Sequence, residues 1–193
     1  ARLGRVPPGI VAALGVPVPV VGALPQGIAP KPPYFVTIGT IEPRKNHALL
    51  LDIWDRLGPS APQLYIIGGR GWANMDLLAR LDQLPPDGPV QLLSGLDDSV
   101  LAALLQNARA LLFPSLAEGF GLPPVEAAAM GVRVVASNLP VIRELLGDFA
   151  VYLDVTDSYS WMETIRALAA ADQSATEQCR FKVPPNWTDH FNI

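Results

Sequence analysis

Ala110-Leu111-Leu112-Phe113-Pro114-Ser115-Leu116-Ala117-Glu118-Gly119-Phe120-Gly121-Leu122-Pro123-Pro124-Val125-Glu126 reads as a buried strand, a short loop and the opening of a helix. Four apolar residues in a row suit a strand covered on both faces. Pro123 suits the first helical position, where a missing N–H costs nothing, so the helix is expected to start near Leu122. A strand that enters a helix through such a loop is the unit of an open α/β sheet, whose ligands sit at the carboxyl ends of the strands. Gly119 and Gly121 let the backbone approach a ligand. Amides of Phe120, Gly121 and Leu122 at the helix N-terminus would form an anion site that fits a phosphate. Glu126, expected in the first turn, is placed to accept from paired hydroxyls such as those of a ribose, and Glu118 would face the other end of the same ligand. A carboxylate, a row of amides and a second carboxylate describe a nucleotide-sugar. An acid near a helix start also serves the helix dipole alone, whereas a loop carboxylate such as Glu118 has less structural work to do.

The same alternation runs outward in both directions. Strands are expected at Tyr34 to Ile38, Leu64 to Ile67, Val90 to Leu93, Ala110 to Phe113, Val132 to Ser137 and Ala150 to Leu153. Helices are expected at His47 to Leu57, Met75 to Leu84, Asp97 to Asn107, Pro123 to Met130, Val141 to Leu146 and Ser158 to Ala171. Leu49, Leu50, Ile53, Trp54 and Leu57 follow the i, i+3, i+4 rule, and Gly58, Gly131 and Gly147 stand where helices end. Regular alternation implies right-handed βαβ units and a Rossmann-like, doubly wound parallel sheet. Arg44 and Lys45 then fall in the first βα loop, at the ligand edge. There they could neutralise a diphosphate; a solvated loop pair is the bland alternative. Gly68-Gly69-Arg70-Gly71-Trp72 is a glycine-rich turn after the second strand, a weak signal by itself because such turns more often just end a strand. His47 is read as flanking a helix start.

With 193 residues, half of them hydrophobic, and a net charge of −4, the chain suits one compact domain and lacks the basic face of a nucleic-acid binder. The single cysteine, Cys179, excludes an internal disulfide. Two distant histidines, His47 and His190, with no Cys/His cluster, argue against a protein-built metal site. The uncharged stretch from Pro7 to Pro30 is apolar enough to raise the question of a membrane span, but Pro17, Pro19 and Pro25 with Gly15 and Gly22 would break one. Residues 1–30 are expected to be an extended linker, 31–175 the ligand-binding domain and 176–193 a tail, in which Trp187 and Phe191 act as core anchors.

Glu118-Gly119-Phe120-Gly121-Leu122-Pro123, with Glu126 eight positions after Glu118 and Ala127-Ala128-Ala129-Met130-Gly131 beyond it, resembles the retaining family 4 (group 1) glycosyltransferases of the GT-B fold. The resemblance extends to Gly39-Thr40-Ile41-Glu42-Pro43-Arg44-Lys45-Asn46, to Ile67 to Trp72 and to Phe113-Pro114-Ser115, and covers about Tyr34 to Leu168. It implies the C-terminal, donor-binding half of a retaining, metal-independent transferase that moves a hexose from a nucleoside diphosphate sugar and needs no other cofactor. Glu118, Arg44 and Lys45 would form the catalytic set. Gly39, the amides of Gly119, Phe120, Gly121 and Leu122, and Glu126 would hold the donor, with Gly95 and Leu96 reading the base through the backbone. In the context of the resemblance the turn from Gly68 to Trp72 would line the cleft, with Arg70 or Trp72 near base or sugar. Donor base stays open between UDP and GDP, the Glu-Pro-Arg-Lys-Asn subtype pointing weakly to GDP-mannose. Thr40 departs from the arginine many relatives carry there, and Leu105, Ala117, Arg133 and Phe149 depart from tyrosine, tyrosine, proline and alanine. The acceptor half is expected outside this chain, along with any peripheral membrane contact, the whole being cytoplasmic; the isolated domain is expected to bind nucleotide weakly and transfer little. Two other readings stay in play: a catalytically silent nucleotide-sugar scaffold, and a glycoside hydrolase, which would need paired carboxylates but neither the anion site nor the Arg-Lys loop.

Overall fold

Strand and helix boundaries follow from which residues can be buried on two sides at once. The computed structural model describes residues 14–17, 19–72 and 75–171, together with Thr188 and Phe191. Six strands, β1 (Tyr34–Ile38), β2 (Gln63–Ile67), β3 (Val90–Leu93), β4 (Ala110–Phe113), β5 (Val134–Ser137) and β6 (Ala150–Leu153), form one sheet in the order β3-β2-β1-β4-β5-β6. Every pairing is parallel; Phe35 sits opposite Leu64 on one side and Ala110 on the other. Helices α1 (His47–Leu57), α2 (Met75–Asp82), α3 (Asp98–Gln106), α4 (Leu122–Ala129), α5 (Pro140–Leu146) and α6 (Ser158–Ala170) join successive strands or follow the last. This is the doubly wound α/β class expected, with its strand order reversing between β1 and β4.

Side-chain alternation sorts the helices into two layers. Tyr34, Val36, Tyr65, Ile67, Leu111 and Phe113 point to a core built with α3, α4 and α5. Phe35, Leu64, Ile66, Ala110 and Leu112 point the other way, against α1, α2 and α6, where Trp54 and Trp161 are buried. Two aromatic polar tips find partners in these layers: Trp161 Nε1 donates to Asp154 O at 3.0 Å, and the Tyr34 hydroxyl to Leu104 O at 2.7 Å. Asp157 caps α6 by accepting from the Ser160 amide at 3.0 Å.

Most boundaries fall within one residue of the sequence reading, and two differ by two residues for local reasons. Helix α2 stops short of Leu84, because Pro85 disfavours helical geometry in the residue before it. Strand β5 begins at Val134, since the Val132 amide is still engaged at the end of α4, donating to Ala127 O at 2.9 Å.

Residues 19–33, before β1, form no helix or strand and turn at 26–27, the Ile28 amide donating to Pro25 O at 3.2 Å, while the Gly22 amide donates to Ser99 O at the start of α3 at 2.9 Å. Val16 is buried in the core under α3, α4 and α5, and Leu24 and Ile28 pack on it, while Val20 is exposed. Residues 1–13, Cys179, Trp187 and His190 lie outside the described residues. Phe191, expected as a core anchor, is 76% exposed. No helix among the described residues is long and apolar enough to cross a membrane.

Candidate functional site

Reversal of strand order between β1 and β4 makes the loops after these strands diverge, and the crevice they leave is where open α/β sheets hold ligands. The loop after β1 carries Arg44 and Lys45 in a single turn of 3-10 helix, Pro43–Lys45. Asn46 follows with φ of 54°, the one positive-φ residue other than glycine among the described residues. That left-handed step, which asparagine tolerates better than most residues, lets α1 start at once on a new axis. The loop after β4 carries Glu118. The two loops are joined through the backbone, the Leu116 amide donating to Arg44 O at 2.7 Å.

Four charged side chains meet across this junction. Glu118 Oε1 takes Lys45 Nζ at 2.6 Å and its Oε2 takes Arg44 Nη1 at 2.8 Å, while Arg44 Nη2 reaches Glu42 Oε1 at 2.6 Å. Glu118 is 6% exposed, Lys45 10% and Glu42 12%, against 43% for Arg44. Three of the four are therefore largely out of water, where an unpaired charge is costly, and their mutual pairing is what makes the burial tolerable. Lys45 Nζ also lies 4.9 Å from the centre of the Phe113 ring, whose face favours a cation. Gly39 makes room for this lysine: a Cβ there would stand 3.0 Å from Lys45 Cε.

At the start of α4, Gly121 is the N-cap with φ of 94°. A Cβ on it would lie 2.4 Å from Ile142 Cδ1, so both the backbone angle and the packing of α5 demand glycine. The amides of Phe120, Gly121 and Leu122 donate to no protein acceptor among the described residues, and no side chain caps the helix. They keep the hydrogen-bonding capacity that a helix N-terminus offers an anion. Phe120, Leu122 and Leu96 are half-buried against the same core.

Two expectations need correction here. Leu122 takes the first helical position and Pro123 the second, so Glu126 is the fifth residue of α4 and lies beyond its first turn. The dipole acts within that turn and supports Glu126 little. Instead its carboxyl is pushed above the usual range, first by burial and then by the Asp98 carboxylate at the start of α3. Arg70, expected toward base or sugar, turns its guanidinium to Asp82 on α2, and Trp72 is 72% exposed. His47 does begin α1 but is fully buried, with Nδ1 lacking a partner among the described residues. Burial, followed by the neighbouring Lys45, lowers its pKa to about 4, the nearby Glu42 opposing weakly. Gly95 sits in the exposed loop after β3 with φ of 68° and open space on its Cβ side.

Comparison with known proteins places this geometry. The family model described as Glycosyl transferases group 1 matches residues 25–180. The chain belongs to the group 1 glycosyl transferases. O-antigen chain mannosyltransferase B of Escherichia coli is 35% identical over 164 residues, covering 76% of this chain and 43% of that protein. O-antigen chain mannosyltransferase RfbU of Salmonella typhimurium is 33% identical over 136 residues, covering 69% and 37%. This glycosyl transferase chain thus spans less than half the length of these curated relatives. Among solved structures, Anabaena HepE in complex with UDP and glucose superposes with a TM-score of 0.62 at 21% identity, over 83% of this chain and 46% of that one. TarM gives 0.62 at 17%, over 80% and 31%. At these identities the likeness concerns the fold, and in both cases less than half of the larger chain is matched.

Of the residues singled out from sequence, this chain brings Glu118, Arg44 and Lys45 into one ion-paired cluster beside Gly39, and keeps Glu126 out of it, on α4 near Asp98 of α3. Glu42 and Asp98 were missed. Glu42 stands two residues before Arg44 in the same motif, and Asp98 three after Gly95; charge next to a candidate residue was the available signal.

Proposed function

We propose that this chain is the nucleotide-sugar donor-binding domain of a retaining, metal-independent glycosyl transferase that transfers a hexose, mannose in the first instance, from a nucleoside diphosphate sugar. The observation that carries the reading is the juxtaposition, at the strand-order reversal, of the Arg44–Lys45–Glu118 cluster with the undonated amides of α4. Both features suit a diphosphate. Arg44 uses two of its five N–H donors on carboxylates and Lys45 one of its three, by the side-chain inventory, so each can reach a phosphate oxygen without releasing Glu118.

In this reading the amides of Gly119 to Leu122 and the two cations hold the diphosphate. As the bond between the anomeric carbon and the diphosphate breaks, negative charge collects on the departing group. Arg44 and Lys45 meet it without reorganising, because Glu118 and Glu42 already fix them. Two fixed cations beside the phosphates supply directed N–H donors where a divalent ion would otherwise coordinate, which supports metal independence. Glu118 lies where the sugar would adjoin the diphosphate, and Glu126, ionised, accepts from the ribose hydroxyls. Gly95 and Leu96 face the base through their backbone. Mannose as the sugar is supported by the two mannosyltransferases at 35% and 33% identity, and a nucleotide-sugar donor by the UDP and glucose bound in HepE. The acceptor would bind against a partner domain that completes the cleft, at the cytoplasmic side of a membrane.

Calorimetric titration with UDP and GDP tests this directly. Binding of one of them, lost in Arg44→Ala/Lys45→Ala, is expected; binding of neither overturns the donor reading.

A further inference from the structure

We infer that Glu42 is a positioning residue for Arg44 that also holds down the affinity of the cationic pair for phosphate. The inference rests on the donor reading above and adds to it a group that no role has been given. Glu42 occupies the N-cap of the Pro43–Lys45 turn with extended backbone, φ −145° and ψ 155°, yet its side chain caps nothing. A carboxylate kept for structure at that position would accept from the turn's amides. This one is 12% exposed and spends Oε1 on Arg44 Nη2 at 2.6 Å.

Arg44 is thereby gripped from two directions, Nη2 by Glu42 and Nη1 by Glu118 at 2.8 Å, with Ala117 O at the edge of reach at 3.5 Å. A planar guanidinium held at both ends has its orientation set. The second effect is electrostatic. Glu42, Glu118, Arg44 and Lys45 sum to zero charge, so the cluster offers a diphosphate directed donors and no net attraction. Without Glu42 it would carry one positive charge. His47, two residues after Lys45, has its pKa lowered to about 4, first by burial, and so adds no charge at neutral pH. A transferase must release the nucleoside diphosphate that each turnover leaves behind, and a neutral cluster releases it faster than a cationic one.

Glu42→Gln keeps size and an acceptor oxygen for Nη2 while removing the charge. Calorimetry on the full chain with UDP and GDP, at about 50 mM and about 0.5 M salt, provides the readout, since added salt screens net charge and spares short directed contacts. The variant is expected to bind the preferred nucleotide roughly tenfold tighter than wild type at low salt, by the size of one unit charge several ångströms away, and part of that gain should vanish at high salt. Glu42→Asp, which retains the charge but draws the carboxylate back from Arg44 Nη2, should show no such gain at low salt. Wild type itself, having a neutral cluster, should change affinity by less than about threefold between the two salts. That last measurement stands even if Glu42→Gln folds poorly. If wild type binds neither nucleotide, the donor reading fails and takes this inference with it. If wild type binds but Glu42→Gln binds equally or more weakly, or wild-type affinity falls steeply with salt, the role of Glu42 alone is overturned.

Discussion

Lys45→Met removes an ammonium group from a largely buried cluster while keeping most of the stem that packs against Gly39. Its side chain is 10% exposed and that of Glu118 6%, so the pair lies near the buried limit. Leaving a buried carboxylate entirely unpaired costs roughly 3–5 kcal/mol. Here Arg44 Nη1 still holds Oε2 at 2.8 Å, which brings the expected loss down to about 2 kcal/mol. For a domain of this size that is a fall in Tm of about 4–8 °C. Urea unfolding followed by the fluorescence of buried Trp54 and Trp161 measures it, with an unchanged m-value as the check that only stability has moved. Glu118→Gln and the double variant complete a cycle that isolates the pair, and a coupling of about 1 kcal/mol or more is expected. A coupling below about 0.5 kcal/mol would put the 2.6 Å contact in the class of exposed surface pairs and refute the argument that burial makes it matter.

Gly121→Ala places a Cβ 2.4 Å from Ile142 Cδ1 at a φ of 94°, so it should cost about 1–3 kcal/mol in urea unfolding and weaken nucleotide binding by shifting the α4 amides; unchanged stability would show that α5 yields freely. Glu126 has a raised pKa in the fold, so the fold favours its protonated form and stability falls as pH climbs from the ordinary carboxylate value through the raised one. Glu126→Gln should therefore gain stability at neutral pH while nucleotide binding weakens roughly tenfold through loss of a charged acceptor, and Asp98→Asn should move the acid limb of the binding–pH profile to lower pH; a profile that stays put would remove Asp98 from the account. His47 has its pKa depressed to about 4, so the unfolded chain binds the proton first and stability drains away as pH falls from 6.5 toward 4, by an amount on the order of 2–3 kcal/mol. In His47→Phe that slope should disappear from unfolding curves recorded across the same range; its persistence would assign acid sensitivity to other groups.

Strands and helices were legible because their signals are local. Ala110 to Phe113 has no polar residue to show to solvent, and β4 is buried from end to end. The reversal of strand order then explains why Arg44 and Glu118, 74 residues apart, share a site, since both follow strands that flank it. What the sequence hid were choices between equally available partners. Arg70 had the glycine-rich turn around it and Asp82 one helix away, and took Asp82. Glu42 had a turn to cap and Arg44 to pair with, and paired. Glu126 was assigned to the first turn by proximity to Pro123, whereas the tight Gly121 cap started the helix one residue earlier. Burial of His47 depends on how α1 seats against its neighbours, which no local pattern reports.

The family match begins at residue 25, yet Val16 is a plug in the core and Gly22 is stitched to the backbone of Ser99. Anyone trimming the gene to the matched region would pull that plug, leaving a hole beneath three helices and a raw greasy seam along one of them. Soluble expression of such a cut-down piece would suffer although every residue of the Glu118 cluster and of the α4 start had been retained.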